Sequence, residues 1–261
     1  MTTTMTRPAP TAGTARPQAT FSGIPFGRLL LVEWGKATGT RAARWLLALV
    51  AASTLGLMLA PVLAPSSVDQ TYTSYLGYAA LGLSILLPVV SILTLTSEWS
   101  QRTALITFTQ EPRRLRVVAA KITVSLFLGA GAALFGGLVT AGGLAVAAAS
   151  GRRLDADLDA GLLVAFLLYV LLNVLTGVAL GALVHNSAAA IVASFVLPIG
   201  FGLLGRVSRW VADWLDYTTA FNWLLTGRWS DHPAQILVAV VLWVAAPLAV
   251  GLVRTVRREI N

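Results

Sequence analysis

Cysteine is absent from this chain, lysine occurs only twice, and charge of either sign is scarce. Without cysteine there is no disulfide framework, no thiolate metal site and no cysteine nucleophile. The two histidines, His185 and His232, lie far apart in sequence, which speaks against a histidine-rich metal centre. His185, beside Asn186, reads as a polar turn residue. Only 11% of the 261 residues are charged and 56% are apolar, whereas soluble domains carry about a quarter charged residues. That composition belongs to a membrane protein. Basic character comes from 17 arginines against Lys36 and Lys121; with the alanine and glycine excess, this usage points to a GC-rich bacterial genome.

Motifs for chemistry are also missing. No G-x-x-x-x-G-K-[ST] string occurs. The nearest stretch, Gly35-Lys36-Ala37-Thr38, lacks the first glycine at the right spacing and the hydroxyl directly after lysine, so it cannot cradle nucleotide phosphates by that route. There is no G-x-S-x-G elbow and no H-E-x-x-H, and no serine or metal dyad of an intramembrane protease is evident. The chain is expected to be no enzyme and to hold no cofactor or metal of its own.

What the sequence does have is long apolar runs. A bilayer core about 30 Å thick needs roughly 20 apolar residues in a helix. Six segments meet or approach that length: 45–64, 75–96, 122–149, 161–184, 188–205 and 234–253. None has an Asp, Glu, Lys or Arg in its interior. The fifth is the shortest and contains Pro198, so it reads as broken or partly spanning. Residues 185–187 leave room only for a tight antiparallel turn between the fourth and fifth. Pro88 and Pro247 are candidate kinks in the second and sixth. Six glycines in the third (Gly129, Gly131, Gly136, Gly137, Gly142 and Gly143) suit close helix packing.

Charge placement sets the orientation. With the N-terminus inside and six spans, the inside pieces hold fourteen basic and four acidic residues, a net of +10. The outside pieces hold five basic and seven acidic, a net of −2. This is the positive-inside pattern. Both termini are expected in the cytoplasm of a plasma membrane, and the formal charge of +8 is read as a headgroup-facing charge rather than a nucleic-acid surface.

Three further segments carry information. Residues 1–25, rich in Thr, Pro and Ala, read as a disordered cytoplasmic tail, followed by one transmembrane domain over 26–261. From Phe26 to Arg44 the chain is too charged to cross. There Phe26, Leu29, Leu30 and Trp34 share a helical face, as in a helix lying in the interface. An ordinary lead-in to the first span is the plainer alternative. Between the second and third spans, SEWSQRTALITFTQEPRRLRVVAAK places Trp99, Thr103, Ile106 and Gln110 along one helical side until Pro112 stops the helix. Arg113, Arg114 and Arg116 follow, at phosphate headgroups. This loop reads either as a topology anchor or as a rigid helix transmitting force. Last, Arg206–Pro233 holds four of the eight tryptophans. Trp210, Trp214, Tyr217 and Phe221 recur at helical spacing as one aromatic stripe, with Asp213 and Asp216 pointing elsewhere. That stripe is either a plain aromatic belt or an outer lid.

The stretch Glu98-Trp-Ser-Gln-Arg-Thr103, followed by Pro112-Arg-Arg114 and Lys121, resembles the loop of ABC-2 type transporter permeases, in which E-(x)4-T after the second span leads to P-R-R before the third. The order of elements is similar over nearly the whole chain. The resemblance implies an all-α fold: a polytopic membrane protein with six transmembrane helices, an N-terminal interfacial amphipathic helix (Phe26, Leu30, Trp34), a cytoplasmic coupling helix and an outer aromatic segment. It implies coupling to a separate ATPase through Glu98, Trp99, Arg102, Thr103, Ile106, Pro112, Arg113 and Arg114, with ATP and Mg on that partner. It also implies pairing with a second permease chain, identical or homologous. The expected function is export of a hydrophobic or amphipathic substrate such as a drug or lipid. The alternatives are a non-transporting scaffold, or an ion-coupled secondary transporter. Charge-free spans weigh against the last, although sodium sites built from carbonyls at broken helices keep it open.

Overall fold

A computed structural model describes residues 24–100, 111, 113–154 and 160–257, with the backbone alone at 99–100. The described residues are helical with no strand. α1 spans Phe26–Gly39 and α2 Arg41–Leu63. α3 runs over Tyr72–Ser100, α4 over Arg114–Ala149, α5 over Ala160–Val184 and α6 over Ser187–Val207. Two short helices, α7 (Arg209–Trp214) and α8 (Tyr217–Leu225), precede α9 at Pro233–Arg257. Six of these, α2 to α6 and α9, are long and apolar enough to cross a membrane.

The helices overrun the apolar segments at the end where α1 lies. α2 begins four residues before Trp45, behind Thr40, whose Oγ1 accepts from Ala43 N at 3.1 Å. α4 begins eight residues before Ile122 and, with 36 residues, is about 54 Å long. Its first turns therefore project past a bilayer core.

α3 is the centre. In its most apolar stretch 72% of residues are buried, against 6% in α6. Leu76, Leu83, Leu87 and Val90 of α3 pack with Phe166, Val170, Val174 and Val178 of α5. Close approach here depends on glycine. A Cβ on Gly177 would lie 2.5 Å from Pro88 O, and one on Gly82 would lie 2.5 Å from Thr54 Cα. In α4 only every seventh residue of the glycine set faces inward: Gly129, Gly136 and Gly143 pack on side chains, while Gly131, Gly137 and Gly142 have nothing near them.

α5 and α6 join through His185 and Asn186. His185 takes the left-handed conformation at φ 53°, and Asn186 Oδ1 caps α6 by accepting from Ala189 N at 3.0 Å. Leu180 shares one cluster with Ala190, and Leu172 and Leu197 both pack against the cluster of Tyr217 and Trp243, an order that makes the two helices antiparallel. α6 is one continuous helix through Pro198, so the expected break is absent. In α9 the irregularity is a π-turn at Val241–Ala245. Pro247 offers no amide to the carbonyl four residues back, and a wider turn accommodates that loss.

An even number of long helices returns the chain to the α1 end. Arg116 Nη2 donates to Ile24 O at 2.7 Å and Arg114 Nη1 to Thr255 O at 3.0 Å. The first turn of α4 thus binds both ends of the described chain.

Candidate functional site

At the α1 end four charges meet. Glu33 sits on α1, one turn from Leu29 and from Ala37, and these three form the buried side of that helix. Its Oε2 accepts from Lys121 Nζ of α4 at 2.6 Å and its Oε1 from Lys36 Nζ at 2.7 Å. Lys36 also donates to Glu98 Oε1 of α3 at 2.9 Å, and Lys121 lies 3.6 Å from the same oxygen. Lys121 gives a further bond to Thr94 O at 3.2 Å. The side chains of Lys121, Glu33 and Glu98 are 2%, 3% and 5% exposed. Taking a lone charge to such depth is costly, so two carboxylates and two ammoniums hold one another there. For Lys36, burial lowers the pKa, but the hydrogen bonds and charges of Glu33 and Glu98 outweigh it and raise the value above its usual 10.5. It remains an ammonium at neutral pH.

A second knot secures the start of α4. Buried Glu111 accepts from Arg116 Nη1 at 3.0 Å and from Arg113 N at 3.3 Å. Nearby, His185 Nε2 and Thr255 Oγ1 are 2.8 Å apart, and Thr255 Oγ1 donates to Gly251 O. The imidazole therefore donates from Nε2, tying the α5–α6 turn to α9.

These contacts revise several expectations. Glu98, a coupling residue by the resemblance, closes the junction of α1, α3 and α4. Arg114 and Arg116, half-buried, donate to protein oxygens, and Arg113 alone of the three is exposed. Trp99 is the penultimate residue of α3, with its side chain outside the described residues. Arg102, Thr103, Ile106 and Pro112 also lie outside them. On α1 the protein-facing side is Leu29, Glu33 and Ala37, while Phe26 and Trp34 stay 38% and 43% exposed and Leu30 is half-buried. Lysine scarcity was the available signal, since both lysines of the chain stand in this cluster.

At the opposite end, the aromatic stripe divides. α7 stops at Trp214, and buried Asp216 starts α8: its Oδ1 accepts from Thr218 N at 2.9 Å and from Thr218 Oγ1 at 2.6 Å, its Oδ2 from Thr219 Oγ1 at 3.1 Å. Tyr217 and Phe221 are buried, Trp210 is exposed, and Trp214 is half-buried. Besides Phe221, Tyr217 meets Trp243 of the π-turn, 5.2 Å away, with Phe201 at 5.2 Å on that indole and Trp243 Nε1 donating to Leu215 O at 2.8 Å. Burial, then Tyr169 and Asp216, push the Tyr217 phenol far above its usual pKa, so it stays a neutral hydroxyl.

Beneath α8 lies a cleft of about 610 Å³ between α3, α5 and α6. Ser84, Tyr169, Asn173, Ser194, Thr219 and Asn222 bring polar groups to it, and Ile85, Pro88, Phe195 and Pro198 supply apolar wall. Among the described residues, no Asp, Glu, Lys or Arg lines it. Such a cleft can take a molecule with neutral polar and apolar parts. Neither a scan of protein-family models nor a search of curated proteins returns a match for this chain.

Proposed function

We propose that the chain is the membrane subunit of an ATP-driven exporter of ABC-2 type, working with a second permease chain and separate ATPase subunits, and moving a hydrophobic or amphipathic cargo. The observation that carries this reading is the course of α3. This helix is tied near one end by Glu98 to α1 and α4, and its middle lines the cleft with Leu81, Ser84, Ile85 and Pro88. From Ser84 to Glu98 is about 21 Å along the axis. A push on the segment between Glu98 and Arg113 would travel through one central, well-packed helix to the cargo cleft. Fourteen of nineteen basic residues fall in the sequence pieces assigned to the inside, which supports a cytoplasmic α1 end and both termini inside. The E-(x)4-T and P-R-R pattern supports an ATPase docking there. With no phosphate-binding loop in the sequence, hydrolysis is assigned to the partner. Phe26 and Trp34 suit an interfacial α1, and Trp210 with α7 and α8 suits a cover over the exit.

Purification of the tagged chain from its native membranes, with bound proteins identified by mass, tests this. An ATP-hydrolysing subunit should co-purify, and Arg113→Glu should release it while the permease keeps its thermal midpoint. Glu98→Ala is the poorer probe, because it removes a buried partner of two lysines. Repeated recovery of the chain alone in mild, lipid-preserving conditions would overturn the proposal in favour of a scaffold or a secondary transporter.

A further inference from the structure

The cleft beneath α8, of about 610 Å³, reaches membrane depth, since Ser84 stands midway along the apolar 75–96 stretch of α3. Polar groups so placed are served poorly by water. What each still offers, after its bonds within the protein are made, decides what can bind.

A serine or threonine hydroxyl has one proton and two acceptor lone pairs. In this cleft the protons are committed. Ser84 Oγ donates to Leu81 O at 3.0 Å, and Ser194 Oγ to Ile191 O at 2.8 Å. Thr218 and Thr219 donate to Asp216 at 2.6 and 3.1 Å. These hydroxyls of α3, α6 and α8 therefore offer the cleft lone pairs only. Donors come from other side chains. Tyr169 and Tyr217 bring phenolic O–H groups, and the exposed Asn222 brings amide N–H groups; burial keeps Tyr217 protonated. A ligand hydroxyl donates and accepts at once, and so matches both halves of this lining.

Neither sign of charge is matched. Among the described residues, no lining side chain is a carboxylate or a cation. Asp216 is 5% exposed and already accepts three hydrogen bonds, so an anion would meet like charge behind the threonines. A cation would leave water for hydroxyl oxygens with no carboxylate in contact, and its desolvation would go uncompensated. Ile85, Pro88 and Phe195 give the cleft apolar wall for a chain.

We propose that this cleft binds an uncharged amphiphile whose head carries several hydroxyls, such as a glycoside, and, resting on the exporter reading above, that this is the class of cargo moved. The head lies among Ser84, Ser194, Tyr169 and the α8 threonines, and the chain along Ile85 and Phe195.

The full chain in lipid nanodiscs, prepared without glycoside detergent, is photolabelled with a dodecyl glucoside that carries a diazirine in its chain. Label should map to peptides of α3, α6 and α8, and unlabelled dodecyl glucoside should displace it. The tetra-O-methyl ether of that glucoside accepts hydrogen bonds but cannot donate them. At equal concentration in the membrane it should compete about fivefold more weakly for each bond lost, roughly 25-fold for two. Dodecyl trimethylammonium and dodecyl sulfate should compete no better than the ether. Ser84→Ala with Ser194→Ala removes two acceptors at half-buried positions. This variant should bind the glucoside more weakly by the same factor, bind the ether unchanged and keep its thermal midpoint. Equal competition by glucoside and ether would overturn the proposal, as would a charged amphiphile competing best or label lying outside the cleft. Glucoside selectivity in a chain that never co-purifies with an ATPase would uphold the cleft assignment and sink the exporter. A bound ATPase with no preference for the glucoside would do the reverse.

Discussion

At the α1 end, three helices that are distant in sequence are held together by opposite charges: Glu33 and Lys121 stand 88 positions apart, Lys36 and Glu98 62. At the α8 end the ties are rings and caps, and several are local, with Asp216 binding the next two threonines and Tyr217 resting on Phe221 at 5.4 Å. The difference concerns what each end can tolerate. A charged knot holds only while every member is present, since each buried charge is compensated by its neighbours. Aromatic and capped contacts are worth less apiece and fail one at a time. The first kind of end transmits displacement as a unit. The second can rearrange around a cleft.

The sharpest way to break this comparison is at Lys121. Lys121→Met leaves Glu33 with one of its two lysines and strips the innermost cation from the junction, at a cost of about 3–5 kcal/mol. Thermal unfolding in detergent should register this as the largest single-residue loss anywhere in the molecule. Adding Glu33→Leu to Lys121→Met removes the stranded carboxylate as well. That double variant should recover most of the loss, because an apolar pair of similar volume is often no worse than a buried ion pair. If the single variant unfolds like the wild type, the α1 end is not a charged knot.

The sequence made the spans legible because burial in lipid leaves the same mark as burial in protein: uninterrupted apolar runs, each matched by a helix in 41–63, 72–100, 114–149, 160–184, 187–207 and 233–257. The junction was not legible. Glu33 lies on the side of α1 marked by Leu29 and Ala37, but the cation that makes its burial tolerable comes from Lys121, and no local pattern links them. Phe26 and Trp34, read as facing the interface, stay 38% and 43% exposed, but hydrophobicity alone did not mark Leu29, Glu33 and Ala37 as the side that meets the protein. The aromatic stripe failed for another reason. Four-three-four spacing assumed one helix, whereas Asp216, followed by Thr218 and Thr219, is a stronger helix start than the spacing is a helix continuation. The cleft has no sequence signature, because its polar groups come from four separate helices.

The same cap provides a middle-sized test at the α8 end. Asp216→Ala removes an acceptor of three hydrogen bonds and should destabilise α8 by about 1–2 kcal/mol. Because Tyr217 and Phe221 ride on α8, chymotrypsin cleavage at Trp214–Tyr217 should accelerate, while the global thermal midpoint falls less than with Lys121→Met. A global collapse equal to that of Lys121→Met would mean that both ends fail as units, and the distinction between them would disappear.

The smallest effect expected is one of pH, and it separates the two lysines of the knot from a titrating switch. Lys36 has its pKa raised above 10.5 by Glu33 and Glu98. A raised folded-state value contributes stability that is fully present below the unfolded value and is lost as pH rises through the folded one. The thermal midpoint of wild type minus that of Lys36→Gln should therefore stay constant across the neutral range and shrink only above 10.5. Because Lys36 is 39% exposed, solvent screens part of its attraction and the difference should be modest at every pH. A difference that already changes near neutrality would assign the titration to another group facing this junction. The α1 end would then respond to physiological proton concentration.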